Sequence, residues 1–362
     1  MKVPKRQQAV NNVRPTIRDV ATAAGVSTAT VSNVLRGTRF VGPARQKKVR
    51  DAIELLGYNP NWLAAGLRAR RSGVIGLVVP DITISFFSGI LSRIEELAAG
   101  SNYQIILADA QEKPERERER VRALLRRQPD GLILVPCSDY SAALQDIRQH
   151  KVPAVLVDRG GEVSGFDSID VNNFDATREG AGHLLRLGHR QILAVATNPA
   201  LRNIAQRIAG FKAALKAGRG RGQIINCSDP VEARQKVLRV LRERDRPTAI
   251  FAFTEQMALG SLRAIWESGI EFPGGISLIA FDDCEWMTAL RPFVSTLRQP
   301  TNAIAEKAWL TLLKRLQGNQ RIRSRQQLEC TLMIRESTTR PGWVASQVAE
   351  SAAQRHTADP SC

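Results

Sequence analysis

The sequence predicts a small all-α headpiece of helix-turn-helix type, followed by a larger α/β body built on parallel sheets. Three observations carry this reading. Positive charge is concentrated at the front: residues 1–72 hold 14 Lys/Arg against 3 Asp/Glu, a net of +11, and the remainder carries only +6 of the formal +17. Between Thr16 and Gly57 apolar residues recur at helical spacing in three short stretches. From Gly73 onward, short apolar runs alternate with longer amphipathic stretches, as parallel strands joined by helices require. A chain of 362 residues is long enough for two or three domains with buried cores. Residues 73–337 are many for one such sheet, so two lobes are expected there.

Residues 1–14 form a basic arm without periodicity. Pro15 discourages an earlier helical start, and Thr16 followed by Asp19 has the spacing of a capping box. Ile17, Val20, Ala21 and Ala24 give the first helix one apolar face, and Gly25 ends it. Ser27 is a good N-cap for a second helix over Thr28–Leu35, which turns Val31, Val34 and Leu35 inward. Its outward residues, Thr28, Ala29, Ser32 and Asn33, are short or polar. Such a slim, hydrogen-bonding face suits insertion into a DNA major groove. Pro43 fits the first turn of a third helix with the stripe Val49, Ala52, Ile53 and Leu56 and a stop at Gly57. Arg45, Lys47, Lys48 and Arg50 load its exposed side.

In the body, buried strands are expected at Val74–Val79, Gln104–Ala108, Gly131–Val135, Ala154–Val157, Gln191–Ala196, Ala249–Ala252 and Ser277–Phe281. Helices are expected at Gly89–Ala99, Glu115–Arg127, Ala176–Leu187 and Met257–Gly269. Ligands of such sheets bind beyond the carboxyl ends of strands. That singles out the Phe86-Phe87 pair, whose rings can stack on a sugar or base, and Asp158 and Asp282, which can accept hydroxyl donors.

Other features exclude function classes. The composition, 43% hydrophobic and 24% charged, is that of an ordinary soluble protein. No apolar run approaches the ~18 residues of a membrane span, so no membrane partner is expected. Met1–Arg14 has no apolar core of a secretory signal, which points to a cytoplasmic location. Five scattered cysteines without CxxC spacing oppose a disulfide framework or a zinc site and fit a reducing cytosol. The four histidines lie in no HExxH or triad-like setting, and Asp282-Asp283 has no histidine cluster beside it. No metal, cofactor or catalytic residue is therefore expected. Glu115–Arg120 reads as a solvated helix face. Gly218–Gly222 reads as a loop, lacking the Lys-Ser/Thr of a P-loop.

The runs TIRDVATAAGVSTATVSNVLRG and GYNPNWLAAGLRARRSGVIGLVVP, with FDDCEW and STLRQP near the end, resemble the lac repressor family of bacterial transcription regulators over about residues 16–337. The resemblance implies a helix-turn-helix domain at 15–60, a hinge at 61–72, and a two-lobed, periplasmic-binding-protein-like effector and dimerisation domain at 73–337. Residues 338–362 would be a disordered tail; lacking leucine, they offer no coiled coil. Crossovers between lobes would fall near Val171–Phe174, Pro300–Thr301 and Thr331. By matched position Thr28, Ala29 and Asn33 would read bases, and Thr16, Ser27 and Thr30 would contact phosphates. Asn61 to Leu67 would form a hinge helix that orders on DNA. Leu67 would wedge between base steps beside Arg68. Gly66 weakens that helix by about 1 kcal/mol. Arg207, in RIAGF, matches the family's ligand arginine, and Asn172 is a weaker candidate. Thr254-Glu255 departs from the family's usual Asn-Asp, which leaves the identity of a sugar open. The implied protein is a homodimeric, effector-controlled repressor of double-stranded operator DNA. Its rival is a periplasmic-type sugar carrier, opposed by the basic front and the lack of a signal peptide.

Overall fold

The computed structural model describes residues 15–36, 39–58, 72–161, 163–318 and 325–342. The chain divides into two compact units, residues 1–72 and 73–362. In the first, α1 (Ile17–Ala24), α2 (Thr28–Arg36) and α3 (Pro43–Leu56) close on a core of Val20, Ala21, Ala24, Val31, Val49 and Ala52. The ends of these helices are set locally. The Thr16 backbone N–H and hydroxyl both donate to Asp19 Oδ2 at 2.7 Å, which holds the Asp19 carboxyl below the usual carboxylate range. Gly25 stops α1 with φ 64°, a conformation that a side chain would strain. Gly57 stops α3 in the same way.

The second unit has two lobes. In the first lobe, β1 (Val74–Val79), β2 (Gln104–Asp109), β3 (Gly131–Leu134), β4 (Ala154–Val157), β5 (Asp167–Val171) and β11 (Arg325–Leu328) form an all-parallel sheet in the order β11-β5-β4-β3-β1-β2. Helices α4 (Ser85–Gly100) and α11 (Thr301–Leu316) pack on one face, where Ile90, Ile94, Trp309 and Leu312 meet Ile75 and Leu77. Helices α5 (Pro114–Leu125) and α6 (Ser141–His150) cover the other through Val121, Leu124, Leu144 and Ile147.

The second lobe repeats the scheme. Strands β6 (Gln191–Ala196), β7 (Arg221–Asn226), β8 (Ala249–Ala252), β9 (Ser277–Phe281), β10 (Ser295–Arg298) and β12 (Thr331–Met333) run in the order β12-β10-β9-β8-β6-β7, with β12 alone antiparallel. One face carries α7 (Asn173–Arg186) and α8 (Arg202–Gly218), the other α9 (Pro230–Leu241) and α10 (Glu255–Ser268). Helices α7 and α8 approach closely at Gly210, where a Cβ would sit 2.2 Å from the Phe174 carbonyl oxygen. The chain changes lobes between Val171 and Asn173, between Arg298 and Thr301, and between Leu328 and Thr331.

Three expectations need correction. The helix face at Glu115–Arg120 is not solvated throughout, because Glu117 within it is fully buried. Residues 218–222 are not one loop: Gly218 is the last residue of α8 and Arg221 already belongs to β7, which runs along Gln191–Ala196. Nor does a disordered tail begin at 338. Thr338 is buried and its hydroxyl bonds His183 Nε2 at 3.0 Å, while the Thr339 N–H donates to Ser277 Oγ at 3.0 Å. Residues 343–362 lie outside the described residues.

Candidate functional site

Helix α2 carries the residues that the sequence singles out for base and phosphate contact. Thr28 and Ala29 are exposed, while Thr30 and Asn33 are half-buried. Ser27 Oγ accepts the Thr30 N–H at 3.1 Å and lies 2.9 Å from the Thr30 hydroxyl, capping the helix at the end that would face a phosphate. Thr16 spends its hydroxyl on Asp19. Asn61, Leu67 and Arg68 lie outside the described residues.

Between the lobes, polar groups converge from the carboxyl ends of the strands. Asp158 follows β4 and Asp282 follows β9, both with positive φ (68° and 75°) that turns the chain sharply at the strand end. From the second lobe, Asn203 on α8 donates to Asp158 Oδ2 at 2.9 Å, joining the lobes. One turn further along α8 lies Arg207. Its Nε donates to Asn173 Oδ1 at 2.8 Å, its Nη1 donates to the Phe253 carbonyl, and its guanidinium stacks 3.4 Å from the Phe281 ring centroid. Asp282 Oδ1 accepts from Gln299 at 2.6 Å, and its Oδ2 accepts the Glu255 N–H at 3.3 Å.

Burial dominates the electrostatics. It pushes Asp158 up to about 6 against the pull of Arg159 and Arg207. It also raises Asp282, opposed chiefly by Arg207, and lowers Arg207, opposed by both carboxylates. Among the described residues, Asp158 Oδ1 and Gln299 Oε1 are buried without a hydrogen-bond partner. Each can accept a donor from a bound molecule.

The structure sorts the other candidates. Phe86 and Phe87 are both buried, with ring centroids 5.3 Å apart. Phe87 lies beneath Arg159, whereas Phe86 lines a cavity of about 250 Å³ together with Ser85, Asp282 and Gln299. Thr254 caps α10, its hydroxyl accepting the Met257 N–H at 3.3 Å. Asn172 accepts the Cys330 N–H at 2.9 Å, tying the first crossover to the third. Sequence reasoning passed over Asn173, Asn203, Phe281 and Gln299, and noted Glu255 only as a departure from the family pattern. Only Asn203 carried a usable signal, its i,i+4 spacing to Arg207 on one helix face. Among the described residues, no cluster of His, Cys, Asp or Glu could hold a metal ion, and no helix is long and apolar enough to cross a membrane.

Comparison with known proteins adds to this geometry. Residues 16–61 match the family described as bacterial regulatory proteins, lacI family, and residues 181–338 match the periplasmic binding protein-like domain. The HTH-type transcriptional repressor PurR of Vibrio atlanticus (strain LGP32) is 34% identical over 310 residues, 83% of this chain and 92% of that protein. Catabolite control protein A of Priestia megaterium is 31% identical over 331 residues, 89% of this chain and 99% of that protein. Among solved structures, the lac repressor dimer bound to operator and the anti-inducer ONPF superposes with a TM-score of 0.81 at 28% identity, covering 90% of this chain and all of that one. The transcriptional regulator CelR–cellobiose complex superposes with a TM-score of 0.68 at 26% identity, with the same coverage.

Proposed function

Since the chain belongs to the lacI family of bacterial regulatory proteins, we propose that it works as a homodimeric repressor whose hold on operator DNA is set by a carbohydrate, or a carbohydrate derivative, between its lobes. It is a DNA-binding transcription regulator under small-molecule control and not an enzyme, in keeping with its repressor relatives. Two headpieces would read the halves of a near-palindromic operator, as two-fold symmetry requires. Thr28, Ala29 and Asn33 meet base edges in this reading, and Thr16, Ser27 and Thr30 meet phosphates. Asn61, Leu67 and Arg68 supply the minor-groove contacts, with Leu67 as the wedge.

The observation that carries the effector half is the buried trio of Asp158 and Asp282 just beyond strand ends in the two lobes and Arg207 on α8, with Asp158 Oδ1 left open. Two acceptor carboxylates and a stacked guanidinium suit a ring bearing several hydroxyls, and Phe86 offers it an apolar face. The cellobiose in the CelR complex supports that class of ligand for a relative of the same fold. A ligand that prefers one lobe arrangement shifts the DNA-binding equilibrium by its differential affinity alone.

Gel-shift and footprinting against genomic fragments test the DNA half; retention at one discrete protected site is expected, and uniform coating of every fragment would refute it. A thermal-shift screen against sugars, sugar acids, sugar phosphates and nucleobases tests the effector half. Stabilisation by a carbohydrate is expected, and a response confined to nucleobases would overturn the carbohydrate assignment.

A further inference from the structure

We propose that the basic corner of the second lobe, where α7 and α8 end and β6 and β7 begin, binds duplex nucleic acid through its phosphates, without regard to base sequence. The corner lies wholly within the body, so the inference goes beyond the operator reading and does not rest on it. From Gly180 to Ser228 the chain holds eight Lys/Arg and no Asp/Glu, which exceeds the whole net charge of +6 on residues 73–362. Arg202 and Arg207 stand at the cleft end of α8. The other six, Arg186, Arg190, Lys212, Lys216, Arg219 and Arg221, are all exposed, and among the described residues none of them is ion-paired.

The fold gathers these six. Strands β6 and β7 run parallel with Gln191 beside Arg221, and the Arg221 N–H donates to the Arg190 carbonyl at 2.7 Å. Arg190 Nη1 donates in turn to the Leu185 carbonyl at 3.2 Å, at the end of α7. The glycines of Gly218-Arg219-Gly220-Arg221-Gly222 face inward. A Cβ on Gly218 or Gly220 would sit 2.8 or 2.7 Å from the Leu185 side chain, and one on Gly222 2.3 Å from that of Leu215. The alternation thus packs three glycines against two helices and leaves both arginines outside. Lys212 and Lys216 are one turn apart on α8, and Arg219 follows three residues on, so these three make a row about 10 Å long. The carboxylates beside the corner do not neutralise it. Glu243 and Asp245, on the connection into β8, alternate with Arg242, Arg244 and Arg246, and Asp245 accepts from Gln191 Nε2 at 2.7 Å. Glu179 stands two turns before the end of α7, and Glu271 precedes β9, two strands from β6.

The surroundings select the polyanion. Guanidinium forks match phosphate oxygens, and gathered cations gain by releasing the counterions of a phosphate backbone. A protein partner needs an apolar core to its interface, and among the described residues no large apolar side chain between Phe174 and Val231 is exposed. A single strand needs rings on which its bases stack, and Phe211, the only Phe, Tyr or Trp in that span, is fully buried. A duplex needs neither. It offers one charge per about 1.7 Å of its axis, about six along the row on α8.

The test uses the full chain and a fluorescent random-sequence duplex of about 30 base pairs, three helical turns. Binding is read by anisotropy between about 50 and 200 mM salt. Arg186→Gln/Lys216→Gln/Arg219→Asn/Arg221→Gln removes four charges from the corner; Asn tolerates the φ of 53° at residue 219. Lys113→Gln/Arg126→Gln/Lys307→Gln/Lys314→Gln removes four exposed charges from the first lobe as a control. The corner variant should bind at least about tenfold more weakly than wild type at the lower salt, with a salt slope shallower by about 2–4 and an unchanged unfolding midpoint. The control should stay within about twofold of wild type. If the corner variant melts early, Lys216→Gln and Arg221→Gln are measured singly, and each should lower the slope by about 1. Wild-type binding in the corner variants, or an equal loss in the control, would overturn the proposal. So would poly-glutamate that displaces the duplex from wild type as well as unlabelled duplex of equal charge does, which would make the corner a site for an acidic protein. Failure of the operator reading shows separately, as the lack of a discrete footprint, and alters none of these outcomes.

Discussion

Glu255, at the start of α10, accepts hydrogen bonds from both the hydroxyl of Ser85 (2.9 Å) and its backbone N–H (3.3 Å), at the start of α4. One carboxylate from the second lobe thus holds the first helix turn of the other, and Trp286 Nε1 donates to it at 3.3 Å. Glu255 is a latch between the lobes.

Removing the latch should therefore open the cleft. Glu255→Ala is expected to enlarge the radius of gyration of the ligand-free protein. It should also weaken, by about fivefold to tenfold, any ligand that prefers the closed form, the worth of about one net hydrogen bond. Small-angle scattering and titration calorimetry read the two effects. An unchanged scattering curve would show that Glu255 does not hold the lobes.

Arg207 is the cleft residue whose loss is felt most widely. Lys cannot stack on Phe281 while also donating to Asn173 and Phe253. Arg207→Lys should abolish the calorimetric signal of effector binding. It should cost about 1–3 kcal/mol of stability for the polar atoms left unpaired. DNA retention without ligand should persist. Wild-type ligand affinity in this variant would remove Arg207 from the binding site.

Glu117 makes stability depend on pH. It is fully buried beneath Cys137, whose N–H it accepts at 2.6 Å, and burial pushes its carboxyl up to about 7. Its folded value lies above the ordinary 4.5, so its stabilising contribution is complete below pH 4.5 and is lost as pH rises through 7. Glu117→Gln keeps an acceptor for Cys137 and removes the titration. The variant should match the wild type near pH 5 and melt several degrees higher at pH 8. Parallel melting profiles across that range would contradict the assignment.

On α2, Asn33 can pair bidentately with an adenine edge. Asn33→Ala should flatten the preference at one base pair of each half-site, worth about 1–3 kcal/mol, and leave the salt slope unchanged. Equal weakening on every sequence would instead make Asn33 a backbone contact.

The headpiece was readable because each of its signals is local. The Thr16–Asp19 box, the left-handed Gly25, the Ser27 cap and Pro43 each act within a few residues, and the apolar stripes between them leave one way to close three helices. Six interior strands, and the edge strand β2 with its Ile105-Ile106-Leu107 run, were readable for the same reason, as apolar runs. β5 escaped because its buried carboxylates argue against a strand until Arg315 and Arg325 are known to meet Asp167 and Asp170. β7 and β11 escaped because edge strands are half solvated and their polar residues look like loop.

Residue order alone settled the headpiece helices and the apolar strands of the body, and placed Asp158 and Asp282 just beyond strand ends, because periodicity and end-capping act over a few residues. Packing of the lobes settled which polar atoms are paired and which stay open. Asn203 reaches Asp158 across 45 positions and Glu255 reaches Ser85 across 170. The desolvation that leaves Asp158 Oδ1 waiting for a partner arises only when groups so far apart in the chain are brought together.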